Sequence, residues 1–280
     1  MDTNIRDFGA VADGCTLCTR EIQAAIDACA QSGGGTVTVP AGQYVTGTIR
    51  LKSHVYLYLA PGSELLGSEH FSDYAPSKRG CAWNWHVDGW GGQASTQVYA
   101  MVLTENAVDC GITGHGTIDG RRSKKHGYTQ EKGRPFLVVF SECTDILVSG
   151  VTLRNPGMHT VFSMNNTRVT VTGIRIHSRD SFNGDGIDFD GSRDVVITGC
   201  FLDTGDDAIG LKTLSPSDPC ENFTISDCVI TSEWAALRMG PESAGDMRHI
   251  SMTNCVFNGC NDGFKLQPCE DYVMEDLVFS

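Results

Sequence analysis

Acidic side chains concentrate in two short stretches, Asn183-Gly-Asp185-Gly-Ile-Asp188-Phe-Asp190 and Gly205-Asp206-Asp207-Ala-Ile-Gly-Leu-Lys212. Asp185 and Asp206 stand 21 positions apart, and each precedes an alternating apolar run, Ile187 and Phe189 in the first and Ile209 and Leu211 in the second. Alternation of this kind reads as β-strand. If the two runs stack as parallel strands about 4.8 Å apart, the apolar residues build a core and Asp185, Asp206 and Asp207 crowd one outer patch. Crowded carboxylates cannot all ionise: one keeps its proton near neutral pH while a better solvated neighbour stays a base. An acid beside a base suits glycosidic hydrolysis, in which one carboxyl protonates the leaving oxygen and another activates water. Aspartates also serve simply as turn residues, but three in register across two coils would repel one another without a task.

The elements that must hold these acids repeat. Self-similar strands start near Ile146, Val169, Val195, Phe223, Ile250 and Val273, at spacings of 23, 26, 28, 27 and 23 residues. Units of that length, rich in strand and in Asn, Gly and Asp turns with no helix between them, mark an all-β parallel β-helix. The leucine frame of leucine-rich repeats is missing. Cys200, Cys228 and Cys255 each fall five residues after a strand start, the slot of a buried ladder of small apolar side chains. The twelve cysteines therefore read mostly as free thiols, which points to a reducing, cytoplasmic setting. Cys15-x-x-Cys18 has no second pair at zinc-site spacing.

Upstream, residues 4–14 read as a strand ending in a turn, and Thr19 to Gln31 as a helix whose Ile22, Ala25, Ile26 and Cys29 recur at helical spacing before Gly33-Gly34-Gly35 stops it. Such a helix would cap the open end of a strand stack. Short strands follow at Thr36 to Pro40, Tyr44 to Leu51 and His54 to Leu59. Two irregular insertions break the pattern, 68–100 with Trp83, Trp85, His86 and Trp90, and the basic 121–134. The last residues, Asp276-Leu-Val-Phe-Ser280, stop in mid-coil without a closing helix, so a single domain over 1–280 with an incomplete C-terminal end is expected.

A formal charge of −13 argues against nucleic acid or an anionic membrane as partner. No run approaches the roughly 18 apolar residues of a membrane span, and the start lacks a basic, then apolar, leader. No metal or other cofactor is expected; the expected partner is a carbohydrate. With Leu237 and Met239 inward, Arg238 points outward together with Lys212 and Lys265. Three cations over an acid cluster suit a sugar carboxylate, which Arg238 is able to clamp in two-pronged fashion. Glu242 offers a further polar contact or a partner for Arg238. His159, in the coil before Asp185, is placed along the groove, whereas His177 and His249 are assigned to turns.

Taken together, Asp7-Phe-Gly-Ala-Val-Ala-Asp-Gly14, Glu21-Ile-Gln-Ala-Ala-Ile-Asp27, Gly34-Gly-Thr-Val-Thr-Val-Pro-Ala-Gly42 and Gly114-His-Gly-Thr-Ile-Asp-Gly120 resemble the N-terminal pattern of pectin-related β-helices. Asn183-Gly-Asp185 and Gly205-Asp206-Asp207, in the places of Asn-Thr-Asp and Gly-Asp-Asp, narrow the resemblance to glycoside hydrolase family 28, the polygalacturonase-like right-handed parallel β-helices. The resemblance implies an inverting hydrolase of galacturonan or rhamnogalacturonan-type chains. Asp206 would donate the proton, Asp185 and Asp207 would hold and deprotonate water, Asn183 would orient Asp185, and Asp188 would join the substrate-binding set. The family's Gly-His-Gly falls on Trp234-Ala235-Ala236, and its Arg-Ile-Lys on Lys265-Leu-Gln267. Gly114-His-Gly116 lies in another coil and reads as a turn. The two insertions suggest a groove walled at one end, hence attack from a chain end. The alternatives are a Ca²⁺-dependent polysaccharide lyase and a non-catalytic carbohydrate-binding β-helix.

Overall fold

The computed structural model describes residues 2–78, 97–124, 133–268 and 271–280, with the side chains of Pro241 and Glu242 outside that description. Strands of three to fifteen residues wind into a right-handed parallel β-helix, as expected, with every registered strand pair parallel. Three walls result. The first is a ten-stranded ladder from Asp2–Asn4 to Met274–Phe279. The second climbs from Asp13–Leu17 to Phe201–Thr204, and the third from Ile49–Leu51 to Ile209–Thr213. The long strand Val229–Ser243 bends across the second and third walls and joins them into one sheet.

The interior follows from side-chain alternation. On the third wall Val138, Val161, Ile187, Ile209 and Leu237 lie in register and are fully or almost fully buried. Phe189, Leu211 and Met239 form the next inward row. Each large apolar side chain removed from water contributes about 1.5–3 kcal/mol, so stability accumulates coil by coil. Polar turn residues suit the corners: Asn165, Asp194, Asn222, Asp227 and Asn254 all adopt positive φ, a conformation their short side chains tolerate. Cys200 and Cys228 are buried thiols and Cys255 a half-buried one, in equivalent slots of successive coils.

The helix runs from Thr19 to Gln31 and buries Ile22, Ala25, Ile26 and Cys29 against the first strands, as its periodicity predicts. Other expectations need correction. Residues 4–14 are not one strand: Asn4 caps a 3₁₀ turn over Ile5–Phe8, ended by Gly9 at φ 94°, and a separate strand spans Asp13–Leu17. In the last coil Leu277, not Val273, pairs with Ile250. His177 ends the strand Arg175–His177, and His249 lies within Met247–Thr253 at φ 54°. Gly114 ends the strand Val108–Gly114 and the chain bends at His115, with the N–H groups of His115 and Gly116 donating to the Leu59 carbonyl. Of the first insertion, Phe71–Asp73 forms a 3₁₀ turn and the next strand starts at Ala100. Trp83, Trp85, His86 and Trp90, and most of 121–134, lie outside the described residues.

Candidate active site

The outward row of the third wall changes character along its length. Leu103, Val139 and Phe162 are succeeded, in register, by Asp188, Gly210, Arg238 and Lys265. The apolar part forms a second, outer cluster with Phe136 and Met164. That cluster keeps water from the side of the acids. His159 packs into it, 5.3 Å from the Phe136 ring and 5.7 Å from Phe162.

The acids come from the corner leading into this wall. Ile187 pairs with Ile209, and counting back two residues puts Asp185 in line with Asp207. Asp206 is thereby displaced toward solvent, and it is half-buried where Asp185 and Asp207 are buried. Backbone pairing fixes the arrangement: Thr160 N–H and its hydroxyl donate to the Asp185 carbonyl, and Gly186 N–H donates to the Asp207 carbonyl. The Asp206 carbonyl accepts from the Thr204 and Ser232 hydroxyls at 2.7 and 2.8 Å, and Asp207 N–H donates to Asp206 Oδ1 at 3.0 Å. One carboxylate oxygen from each of Asp185, Asp206 and Asp207 lies within 4.8 Å of the others, the crowding that the spacing predicts.

Asn183 sits beside them at φ 46°, its Nδ2 donating to Asp206 Oδ2 at 3.4 Å. Its Oδ1 accepts from Arg134 Nη2 at 2.6 Å, while the same nitrogen donates to the Phe182 carbonyl at 3.0 Å. Arg134 therefore latches the loop that carries Asn183 and Asp185. Sequence reasoning did not single it out.

Beneath the acids lies a buried charged array. Asp188 Oδ2 receives Lys212 Nζ at 3.3 Å and also contacts His159 Nδ1, with all three side chains at least nine-tenths out of water. His159 Nε2 is 3.7 Å from Asp185 Oδ1. Burial lowers the His159 pKa more than Asp188 raises it, so the imidazole is neutral at pH 7. Burial alone would raise Asp188, but Lys212 and His159 together hold it below the usual carboxylate value. Burial pushes Asp185 well up, helped by the negative charge of Asp188 and Asp206. Asp207 is raised to about 6, chiefly by burial and against the pull of Arg238. The three acids, with oxygens within 4.8 Å of one another, thus do not all ionise together near neutral pH. This is the protonation split that acid–base catalysis requires.

Gly210 makes the array feasible. It sits opposite Asp188, and a Cβ there would lie 2.4 Å from Asp188 Oδ1.

The outward cations are each already engaged. Arg238 Nη1 pairs with Asp207 Oδ2 at 3.2 Å, Nη2 donates to Gln267 Oε1 and Nε to the Gly240 carbonyl. Lys265 pairs with Asp262 at 3.2 Å and lies 5.0 Å over the Trp234 ring. Lys212 faces outward in phase yet is buried on Asp188. Hence His159, Asp188 and Lys212 form the floor of the site, while Asn183, Asp206, Arg238 and Lys265 stand nearer its surface. The Glu242 side chain lies outside the described residues. Where a Gly-His-Gly histidine would stand, Ala235 lies in line with Asp207 and donates its N–H to Asp207 Oδ1 at 3.3 Å.

Comparison with known proteins supplies the family. Residues 29–217 match the profile of the glycosyl hydrolases family 28. The chain is similar to a probable polygalacturonase of Vitis vinifera, 29% identical over 280 aligned residues that cover 93% of this chain and 56% of that protein. It is also similar to an exo-poly-alpha-D-galacturonosidase of Dickeya chrysanthemi, 27% identical over 318 residues, covering 94% of this chain and 51% of that one. The solved structure of a family 28 exopolygalacturonase from Yersinia enterocolitica superposes with a TM-score of 0.82 at 25% identity, covering all of this chain and 60% of the other. The chain thus spans about half the length of the curated relatives it matches. By fold, acid cluster and profile, the chain belongs to glycosyl hydrolase family 28.

Proposed function

We propose that the protein hydrolyses glycosidic bonds in pectic oligo- or polysaccharides of the galacturonan or rhamnogalacturonan type, acting from a chain end. The observation that carries the reading is the trio Asp185, Asp206 and Asp207, with oxygens within 4.8 Å of one another. Asp206, the most solvent-facing of the three, gives its proton to the leaving oxygen as the C–O bond breaks. Asp185 and Asp207 grip a water, which attacks the anomeric carbon and leaves its proton with them. The trio finishes with as many protons as it began, and relay between neighbouring carboxyls resets it. Asn183 steers Asp206 and the loop of Asp185.

Inversion at the anomeric carbon is part of the proposal and rests on the likeness to family 28 rather than on the spacing of the acids. Most inverting enzymes separate their carboxyls by about 6.5–9.5 Å, and this trio is tighter, so the anomer of the first product is the test; a retained configuration would overturn inversion. A lyase would need an unpaired base beside the substrate. Lys212, Arg238 and Lys265 are each paired to an acid, which favours hydrolysis.

A panel of pectic substrates with reducing-end detection tests the activity. Asp206→Asn should cut turnover by roughly 10²–10⁴ with little change in affinity; a loss of only a few-fold would remove Asp206 from the mechanism. Random mid-chain cuts in oligogalacturonides of graded length would refute chain-end attack.

A further inference from the structure

Trp234 stands where the histidine motif of the family is missing, and its backbone is tied to Asp206 and Asp207. Its N–H donates to Ser232 Oγ at 3.0 Å, and that hydroxyl donates to the Asp206 carbonyl at 2.8 Å. The next N–H along, that of Ala235, donates to Asp207 Oδ1. The indole is thus fixed relative to the acids, yet it remains 44% exposed. Lys265 lies over it at 5.0 Å, which orients the ring. A held, half-open aromatic surface at the edge of an acid cluster offers the apolar C–H face of a pyranose a place to stack.

The charge around that surface decides which pyranose. Arg238 is matched to Asp207, Lys265 to Asp262 and Lys212 to Asp188. Asp185 and Asp206 add further carboxyls to the same cluster. Among the described residues, a sugar carboxylate arriving here would meet an acidic surround and would compete with the buried Asp207 for Arg238. An uncharged sugar meets no such opposition.

We propose, building on the hydrolase reading, that Trp234 is the platform of a sugar subsite beside Asp206 and Asp207 that selects an uncharged pyranosyl unit, either a methyl-esterified uronate or a neutral sugar, over a free uronate. The test is calorimetric titration of the Asp206→Asn protein, which binds without turnover. The probes are a methyl-esterified oligogalacturonide, its de-esterified counterpart of equal length, and a rhamnose-containing rhamnogalacturonan oligomer. The esterified probe, the rhamnose-containing probe or both should bind about tenfold or more tightly than the free acid, and which of them does so identifies the source of the uncharged unit. Adding Trp234→Ala should abolish that preference, whereas Trp234→Phe should keep most of it. Because the ring is half-exposed, both variants should fold, and thermal melts check this. Equal or tighter binding of the free acid, or a preference that survives Trp234→Ala, overturns the proposal. A wild-type protein that binds with this preference but releases no reducing ends would instead count against hydrolysis.

Discussion

Lys212 Nζ lies 3.3 Å from Asp188 Oδ2 with both side chains out of water, directly under the carboxylates of the candidate active site. Either charge alone at that depth would be strongly destabilising. Together, and with His159 on the same oxygen, they give a polar floor beside the apolar part of that wall. The floor also carries a net electrostatic message. Burial raises Asp185, the anionic Asp188 adds to the rise and Lys212 moderates it, so the proton affinity of the site is tuned in part from below, by groups the solvent does not reach.

Removing the lysine exposes that dependence. Lys212→Met leaves Asp188 buried without its cation and should cost about 3–5 kcal/mol at neutral pH. The folded-state pKa of Asp188 is depressed, so its stabilising contribution is present above the ordinary carboxylate range and is lost as pH falls through the folded value. In the variant the penalty should therefore be largest at neutral pH and should shrink in acid. Urea melts at several pH values measure it. Adding Asp188→Asn should recover part of the loss; a double variant no more stable than Lys212→Met would mean that the pair is not what the lysine supports.

Arg238 acts on the base from above. Asp207 is raised to about 6 by burial even though Arg238 pulls it down. As a base Asp207 must be ionised, so kcat/KM should fall on the acid side below about pH 6. Arg238→Gln removes the lowering partner, and the acid limb should move to higher pH. A profile that drops in height without moving would show that Arg238 serves binding and not the protonation state of Asp207.

Arg134 is a positioning residue, reaching the acids through Asn183 and the Phe182 carbonyl. Arg134→Met frees a loop whose Asn183 is held at φ 46°. Misplacement by about 1 Å is enough to cost 10²-fold, so kcat should fall by roughly 10–100-fold with a smaller change in KM. Arg134→Lys keeps the charge without the fork and should recover only part. The kcat-to-KM split is the discriminating readout, because a simple loss of folded protein would scale kcat and leave KM alone in both variants alike.

Much of this was legible in the sequence, for local reasons. The helix Thr19–Gln31 and the rows through Ile187, Ile209 and Leu237 follow from periodicities contained within each segment. The acids were legible because neighbouring coils bring residues about one period apart together, although the register puts Asp207 rather than Asp206 in line with Asp185. A two-residue alternation is blind to even shifts, so it points to Val273 as readily as to Leu277, four positions on. What stayed hidden was long-range. Arg134 meets Asn183 across 49 positions from the end of an insertion, and no pattern near either residue announces the contact. Burial of His159 and Lys212 was hidden too, since alternation gives the direction of a side chain and not what covers it.

Gly210 carries the sharpest steric expectation. Its place in the third wall is next to Asp188, and a Cβ there would sit 2.4 Å from Oδ1 and 2.9 Å from Cγ of that carboxylate. Asp188 has little freedom to yield, because Lys212 and His159 hold its other oxygen. Gly210→Ala must therefore push the carboxylate off its partners or push the two strands apart. Overpacking of this kind costs about 1–3 kcal/mol, and displacement of Asp188 should also disturb His159 and, through it, Asp185. The expected result is a lowered melting temperature together with a loss of kcat that persists at temperatures where the variant is fully folded. Crystals of Gly210→Ala with Asp188 unmoved, or full activity in the folded variant, would show that the floor does not need the empty position.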